Sequence, residues 1–325
     1  MPKTQLPKSP DFWWRSSLTF CLTAVVVAVI IIRNTGGNQI TQGLVEGIQN
    51  QPVAIPSFKE LIRPVEPRFK IAADFNAASI SAKQVIVADL ATLKVLYGRE
   101  ATAETEPAST TKIVTAMVGL QTYSLDQKLI TPKSCVGLNG NNSGLYPGEE
   151  ISFKDLLYAM LLVSDTDATC TVYSNYPGGQ PAFVAAMNTY VESLGIANAH
   201  FENPIGFDDG SWKENNASAW DLAVIAKSAL QNETFKTVVG TKTYLVPGQN
   251  SNLMRSLVNT NELLGVYPGV FGVKTGNTDL AGQCLVTAYH LRDRDFIVVV
   301  LGSSDRFGDT KKILEWTKAN VSWAS

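Results

Sequence analysis

A chain of 325 residues, 45% of them apolar, has room for one large domain with appendages, and this composition excludes disorder for most of its length. A net charge of -2 over 17% charged residues leaves no basic patch or stripe, so nucleic acid is not an expected partner. Two histidines, His200 and His290, and four scattered cysteines have no metal-ligand spacing, and neither a metal nor another cofactor is expected.

The first element along the chain is the uncharged, apolar run from Ser17 to Ile32, preceded by Lys3, Lys8 and Arg15. It exceeds the usual length of a signal-peptide core, Arg33-Asn34-Thr35-Gly36 offers no Ala-x-Ala cleavage site, and Trp13-Trp14 suit a membrane interface. A cleaved signal peptide is the alternative; the reading adopted is a single transmembrane signal-anchor within residues 1–33. The excess of basic residues ahead of the run puts the N-terminus in the cytoplasm. The expected location is therefore the cell membrane, single-pass, with the domain outside the cytoplasm. Residues 34–70, with Gly36, Gly37, Pro52, Pro56, Pro64 and Pro67, read as a stalk, and 71–325 as the compact domain. With Cys21 in the anchor, Cys135, Cys170 and Cys284 remain outside. That odd number permits at most one disulfide, and buried thiols are the expectation.

Lys83 to Ala88 and Leu93 to Tyr97 read as two strands of a hairpin, and Ser109 to Thr122 as a helix opened by Pro107-Ala108. Ser152-Phe153-Lys154-Asp155 resembles a capping box at the start of a helix that turns Leu156, Leu157, Met160 and Leu161 inward. Ser218 to Asp221 does the same for a helix ending near Leu230. Ser164-Asp165-Thr166 falls just after the first of these. Val270 to Thr275, Gly282 to Tyr289 and Phe296 to Leu301 read as three strands, the last two joined at Arg292-Asp293-Arg294-Asp295. A final helix contains Lys312, Leu314 and Trp316. Strands, a helical middle, then strands and a helix predict an α/β chain of the α+β kind, an antiparallel sheet flanked by helices with a helical subdomain inserted.

Ser109-Thr110-Thr111-Lys112 is the only place where a serine has lysine at the third following position, and Lys274-Thr275-Gly276 is the only Lys-Thr-Gly. A serine with lysine one helical turn later is the simplest activated hydroxyl that needs no histidine. As an isolated residue Ser109 reads as an N-cap. A cap, however, is best completed by Glu or Gln three residues on, whereas an ammonium at Lys112 faces the positive end of the helix dipole. That placement lowers a lysine pKa, as does burial, and a neutral amine can take the proton from Ser109. Ser109 would then attack a carbonyl, its own backbone N–H helping to hold the oxyanion. Lys274 lies on a predicted strand beside Thr275, and Gly276 removes a side chain so that substrate can approach the backbone. The alternative there is a surface lysine beside a bulge.

These motifs resemble those of the penicillin-recognising serine enzymes, and most closely the D-alanyl-D-alanine carboxypeptidases, the low-molecular-weight penicillin-binding proteins of peptidase family S11. The likeness covers about Lys83 to Trp316. Besides Pro107-Ala108-Ser109-Thr110-Thr111-Lys112 it includes Pro147-Gly148-Glu149, Asp155-Leu156-Leu157, Asn203-Pro204-x-Gly206, Asp221-Leu222-Ala223, and Gly272 to Gly276 followed by Ala281-Gly282. The resemblance implies a β-lactamase/transpeptidase-like fold, with Ser109 as the acylated nucleophile and Lys112 as its general base. Ser164 matches the first serine of the family's Ser-x-Asn motif, which passes a proton toward the departing D-alanine, and Lys274 supports that relay electrostatically. Thr275 would help hold the substrate's terminal carboxylate, the backbone N–H of Asn277 matches the second oxyanion donor, and Arg306 looks like the family's carboxylate-binding arginine.

One position departs from the pattern: Thr166 stands where the family has asparagine. An amide offers donors and an acceptor on a longer arm, whereas threonine has one hydroxyl close to the backbone. Loss of one well-aimed contact costs on the order of 1–3 kcal/mol, about 10- to 100-fold in rate, without abolishing acylation. The implied partners are peptidoglycan stem peptides ending in D-Ala-D-Ala, β-lactams as covalent inhibitors, and the membrane through the N-terminal anchor. The alternatives are a DD-endopeptidase acting on cross-links with the same residues, or a wall-binding protein weakened by Thr166. A β-lactamase is disfavoured because no Glu-x-x-Leu-Asn segment follows Ser164, although Glu192 keeps that question open.

Overall fold

One unbroken apolar stretch, Phe296-Ile297-Val298-Val299-Val300-Leu301, forms the middle of the central sheet, and its alternation shows why. Successive strand residues point to opposite faces. Ile297, Val299 and Leu301 join the larger core cluster, and Phe296, Val298 and Val300 join the smaller one on the other face. A strand buried on both sides needs no polar face, hence the continuous run.

The computed structural model describes residues 68–207, 214–247 and 254–324. The proposed anchor at Ser17 to Ile32, Trp13-Trp14 and the expected stalk as far as residue 67 lie outside them. Five strands make the sheet: β2 (Gln84–Asp89), β3 (Val95–Arg99), β8 (Val270–Thr278), β9 (Gly282–Leu291) and β10 (Arg294–Ser303), in the order β3-β2-β10-β9-β8. Every pairing is antiparallel. The last helix, α7 (Arg306–Asn320), packs Ile313, Leu314 and Trp316 against one face. Against the other lie α1 (Lys112–Thr122) and α5 (Ala219–Ala229). Between those two in sequence come α2 (Phe153–Leu162), α3 (Thr166–Ser174) and α4 (Gly179–Ser193), and α6 (Glu233–Val239) follows α5; these make the inserted helical part. Two small ribbons, β4 (Lys128–Ile130) with β5 (Glu150–Ser152) and β6 (Thr243–Val246) with β7 (Arg255–Val258), sit among them.

The cap signals act as read. Ser152 Oγ accepts from the Asp155 N–H, and Ser218 with Asp221 closes a full capping box. Helix α1 departs from the usual one-sided stripe because every residue from Lys112 to Gly119 is buried, which makes it the central helix of the domain. A Cβ at Gly119 would lie 2.8 Å from the Phe153 ring, so glycine there sets the close crossing of α1 and α2.

Three expectations are corrected. Ser109 does not begin the α-helix: Ala108–Thr111 form a 3-10 turn and α1 starts at Lys112, because Ala108 is held at φ +48. Cys135 and Cys170 are not both free thiols but a disulfide across a 35-residue separation, their Cα atoms 5.3 Å apart; Cys284 alone is a buried thiol among the described residues. A terminal ribbon is also present, β1 (Arg68–Ile71) pairing with β11 (Val321–Ala324), so that ordered pairing takes in the last three residues of the segment read as a stalk. Aromatic contacts secure it, Phe69 lying 6.0 Å from Trp323 and 6.2 Å from Phe296.

Candidate active site

Ser109 does not cap a helix. Pro107 occupies the cap position of its turn without a side-chain bond, and the Ser109 Oγ meets the Lys112 Nζ at 3.0 Å. Lys112 also donates to the Ile205 carbonyl at 2.7 Å and is 1% exposed. Burial drives its pKa down to about 7, against a smaller upward pull from the Asp165 carboxylate. The amine is therefore half-neutral near neutral pH and already in contact with the hydroxyl it would deprotonate.

The carbonyl that holds Lys112 belongs to the Asn203-Pro204-Ile205-Gly206 segment, whose role the sequence did not disclose. The Asn203 Oδ1 accepts from the Ile205 and Gly206 N–H groups at 3.1 and 2.7 Å, and Asn215 binds Asn203 and Thr111 together. Thr115 donates to the Pro204 carbonyl at 2.6 Å. Gly206, at φ +81, would place a Cβ 2.0 Å from the Ala108 carbonyl oxygen. No side chain fits there, and this contact sets the left-handed turn that presents Ser109.

Strand β8 closes the opposite side. A Cβ on Gly276 would meet Ala108 Cβ at 3.0 Å, Ser109 N at 3.1 Å and Thr110 N at 3.2 Å. The glycine thus admits the nucleophile's own turn against the strand, a requirement of the protein rather than of substrate approach alone. It brings the Ser109 N–H beside Gly276-Asn277. Lys274 is 1% exposed and donates to the Thr275 carbonyl at 2.9 Å; burial first, then Lys112 and Arg306, hold its pKa well below the usual lysine value. The Thr275 hydroxyl shares a 2.7 Å hydrogen bond with Thr260. Arg306, the first residue of α7, donates to the Gly276 carbonyl at 2.8 Å. Its helix is fixed by Asp305, the N-cap, and by Asp309, which accepts from Ser81, Ala82 and Ser303.

Ser164-Asp165-Thr166 lies in the break between α2 and α3. Ser164 stands at φ +61, and its buried Oγ has no hydrogen-bond partner among the described residues. A left-handed serine costs on the order of 1–3 kcal/mol and persists only where its surroundings impose it. Asp165 does so: its N–H donates to the Ala159 carbonyl, and its carboxylate accepts from Ser143 N at 2.7 Å and Ala168 N at 2.8 Å.

All of Ser109, Ser164, Thr166, Thr275, Gly276, Asn277 and Arg306 line one cleft of about 260 Å³, while Lys112 and Lys274 lie buried behind it. Gly140, Asn141, Phe207 and Thr260 complete the lining and were not anticipated; a loop rich in Gly and Asn has no periodic signature to find them by. Glu192, the residue that kept a β-lactamase in play, is exposed at the end of α4 and does not line the cleft.

A family model described as D-alanyl-D-alanine carboxypeptidase, peptidase family S11, matches residues 71–305. The chain is 32% identical over 244 residues to the D-alanyl-D-alanine carboxypeptidase DacF of Bacillus subtilis, covering 72% of this chain and 61% of that protein's length. It is 33% identical over 216 residues to DacB2 of Mycobacterium tuberculosis, covering 66% and 73% respectively. A solved structure of a D-alanyl-D-alanine carboxypeptidase from Mycobacterium tuberculosis superposes with a TM-score of 0.70 at 28% identity, over 79% of this chain and 99% of that one. The match takes in the two motifs, the sheet and the inserted helices, and by it the chain belongs to the D-alanyl-D-alanine carboxypeptidases of peptidase family S11.

Proposed function

We propose that this protein is a serine-type D-Ala-D-Ala carboxypeptidase that removes the terminal D-alanine from peptidoglycan stem peptides through an acyl-Ser109 intermediate, and that β-lactams acylate the same serine. The observation that carries the reading is the 3.0 Å contact between Ser109 Oγ and a fully buried Lys112 Nζ whose pKa falls to about 7. Neutral Lys112 takes the Ser109 proton as Oγ bonds to the carbonyl carbon of the penultimate D-alanine. The Ser109 and Asn277 N–H groups receive the oxyanion. As the C–N bond breaks, the proton held by Lys112 passes through the Ser164 hydroxyl, which has no other partner among the described residues, to the leaving nitrogen, and Lys274 lies buried behind the cleft with its pKa held well below the usual lysine value. Arg306 and Thr275 receive the terminal carboxylate. Water then attacks the ester, its proton passing to the same base, and frees Ser109.

The anchor forms part of the same proposal, supported by the uncharged run Ser17 to Ile32 and the basic residues before it. Among the described residues no helix is long and apolar enough to cross a membrane, and the run lies outside them. Retention of the full chain in the membrane fraction after a high-salt wash, with release when the N-terminal 33 residues are deleted, supports anchoring; release of the full chain, or retention of the chain lacking those residues, overturns it.

The deciding assay is D-alanine release from a diacyl-Lys-D-Ala-D-Ala peptide, with fluorescent-penicillin labelling in parallel. The expected result is release and labelling by the wild type and neither by Ser109→Ala. Labelling that persists in Ser109→Ala, or a folded wild type that neither releases D-alanine nor labels, overturns the proposal.

A further inference from the structure

The Ser164-Asp165-Thr166 side of the cleft lacks the carboxamide that the family motif places at position 166, yet a carboxamide from elsewhere stands against that position. We infer that Asn141, on the loop between β4 and β5, contacts the acyl-donor peptide of the substrate and supplies the amide function that Thr166 cannot; this rests on the carboxypeptidase reading. The loop reaches the site through Gly140, at φ +105, where a Cβ would lie 2.7 Å from Thr166 Oγ1 and 2.7 Å from the Phe207 ring. Glycine is thus what lets the loop pass between Thr166 and Phe207 and residue 141 stand beside Thr166. The Thr166 N–H donates to the Asn141 carbonyl at 2.8 Å, fixing the backbone of one to the other.

The side chain is oriented with equal definition. Asn141 Nδ2 donates to the Val163 carbonyl, the residue before Ser164, at 2.8 Å. Only the nitrogen end of an amide can face a carbonyl, so the orientation follows from the chemistry. That leaves Oδ1 and the second amide N–H with no protein partner among the described residues, on an exposed residue that lines the cleft with Ser109 and Ser164.

Five asparagines away from the cleft are bonded at both ends, whereas Asn216 and Asn320, like Asn141, bond through the nitrogen alone among the described residues, so it is its place on the cleft that sets Asn141 apart. Asn175, Asn188, Asn215, Asn259 and Asn261 each have both the oxygen and the nitrogen bonded to the protein. Asn141 is tied at one end and open at the other, toward the space where substrate must lie. One acceptor and one donor side by side complement a peptide group, which has one N–H and one C=O. The predicted ligand group is therefore a peptide bond of the acyl donor N-terminal to the scissile one.

The test is a cycle between protein and substrate, reading kcat/KM for D-alanine release by wild type, Asn141→Ala and Asn141→Ala/Thr166→Asn. Two substrates are compared, the diacyl-Lys-D-Ala-D-Ala peptide and an analogue with ester oxygen in place of N–H in the peptide bond preceding the scissile one. Asn141→Ala is expected to lose about 10- to 100-fold on the peptide. It should lose several-fold less on the analogue, since the contact to the peptide N–H is already gone, and Thr166→Asn should restore a large part of the peptide's loss. Undiminished release by Asn141→Ala overturns the assignment alone. Equal loss on both substrates also overturns it, because a positioning role for the loop would not distinguish them. No release by the folded wild type overturns the carboxypeptidase reading, and the assignment with it.

Discussion

The two sides of the cleft are built in opposite ways. Lys112 and Lys274 stand on a central helix and a sheet strand, buried among apolar residues, with Ser109 half-buried on the turn before that helix and glycines at 206 and 276 marking where backbone meets backbone. Ser164, Thr166 and Asn141 stand on a helix break and a loop, held by side chains bonding to main chain. Asp165 takes Ser143 N, Asp167 takes Gly137 N and Leu138 N at 2.9 and 3.0 Å, and Cys135–Cys170 ties the start of the loop to α3. At its far end the loop is fixed by Glu149, bidentate to Arg255, which also reaches the Gly144 carbonyl. One side is rigid because it is core; the other is rigid because it is laced. In the mechanism proposed, proton abstraction from Ser109 belongs to the first side and the Asn141 contact with the peptide to the second.

This contrast can be broken from either side. The largest effect belongs to the core side. Lys112→Met keeps volume in a buried position but removes the base, and Ser109 acylation by penicillin should fall by about 10²- to 10⁴-fold with the melting transition little changed. An acylation rate within tenfold of wild type would show that another group takes the proton.

On the laced side, the Cys135→Ser/Cys170→Ser pair should cost about 2–4 kcal/mol in denaturant unfolding, as expected for removing a native disulfide. Acylation of the folded fraction should fall far less than in Lys112→Met. Stability unchanged within experimental error would mean that the hydrogen bonds alone hold the loop. The smallest of the three is Gly206→Ala. At φ +81, and 2.0 Å from the Ala108 oxygen, the methyl group must displace the nucleophile turn, for about 1–3 kcal/mol of stability and a parallel loss of acylation. Wild-type behaviour of this variant would contradict the account of how Ser109 is presented.

The same contrast explains what could be read from the chain. The strands of the sheet and the helices capped by Ser152 and Ser218 were legible because apolar periodicity and cap chemistry are local signals, and Ser109, Lys112 and Lys274 because two short motifs carry them. The start of α1 was misplaced because its cause, Gly206 against Ala108, lies 98 positions away. The disulfide was missed since nothing local pairs Cys135 with Cys170 rather than Cys284; spatial proximity decides it. Burial pushes the Cys284 thiol up to about 11, which leaves it an inert core residue. Asn141 and Thr260 were invisible for the same reason, being brought to the cleft by tertiary approach alone. Asn203 was seen as part of a matching segment, but its task of holding the carbonyl under Lys112 appears only in three dimensions.

The central claim is that a buried, neutral Lys112 activates Ser109, and the pH dependence of Ser109 acylation measures it most directly. A lysine lowered to about 7 by burial is protonated and inert as a base below that value, and neutral and active above it. The second-order rate of penicillin acylation, followed by intact mass, should therefore rise with pH through about 7 and level off above it. A rate that is flat across this range, or that keeps climbing toward about pH 10 as an ordinary lysine would require, contradicts the account.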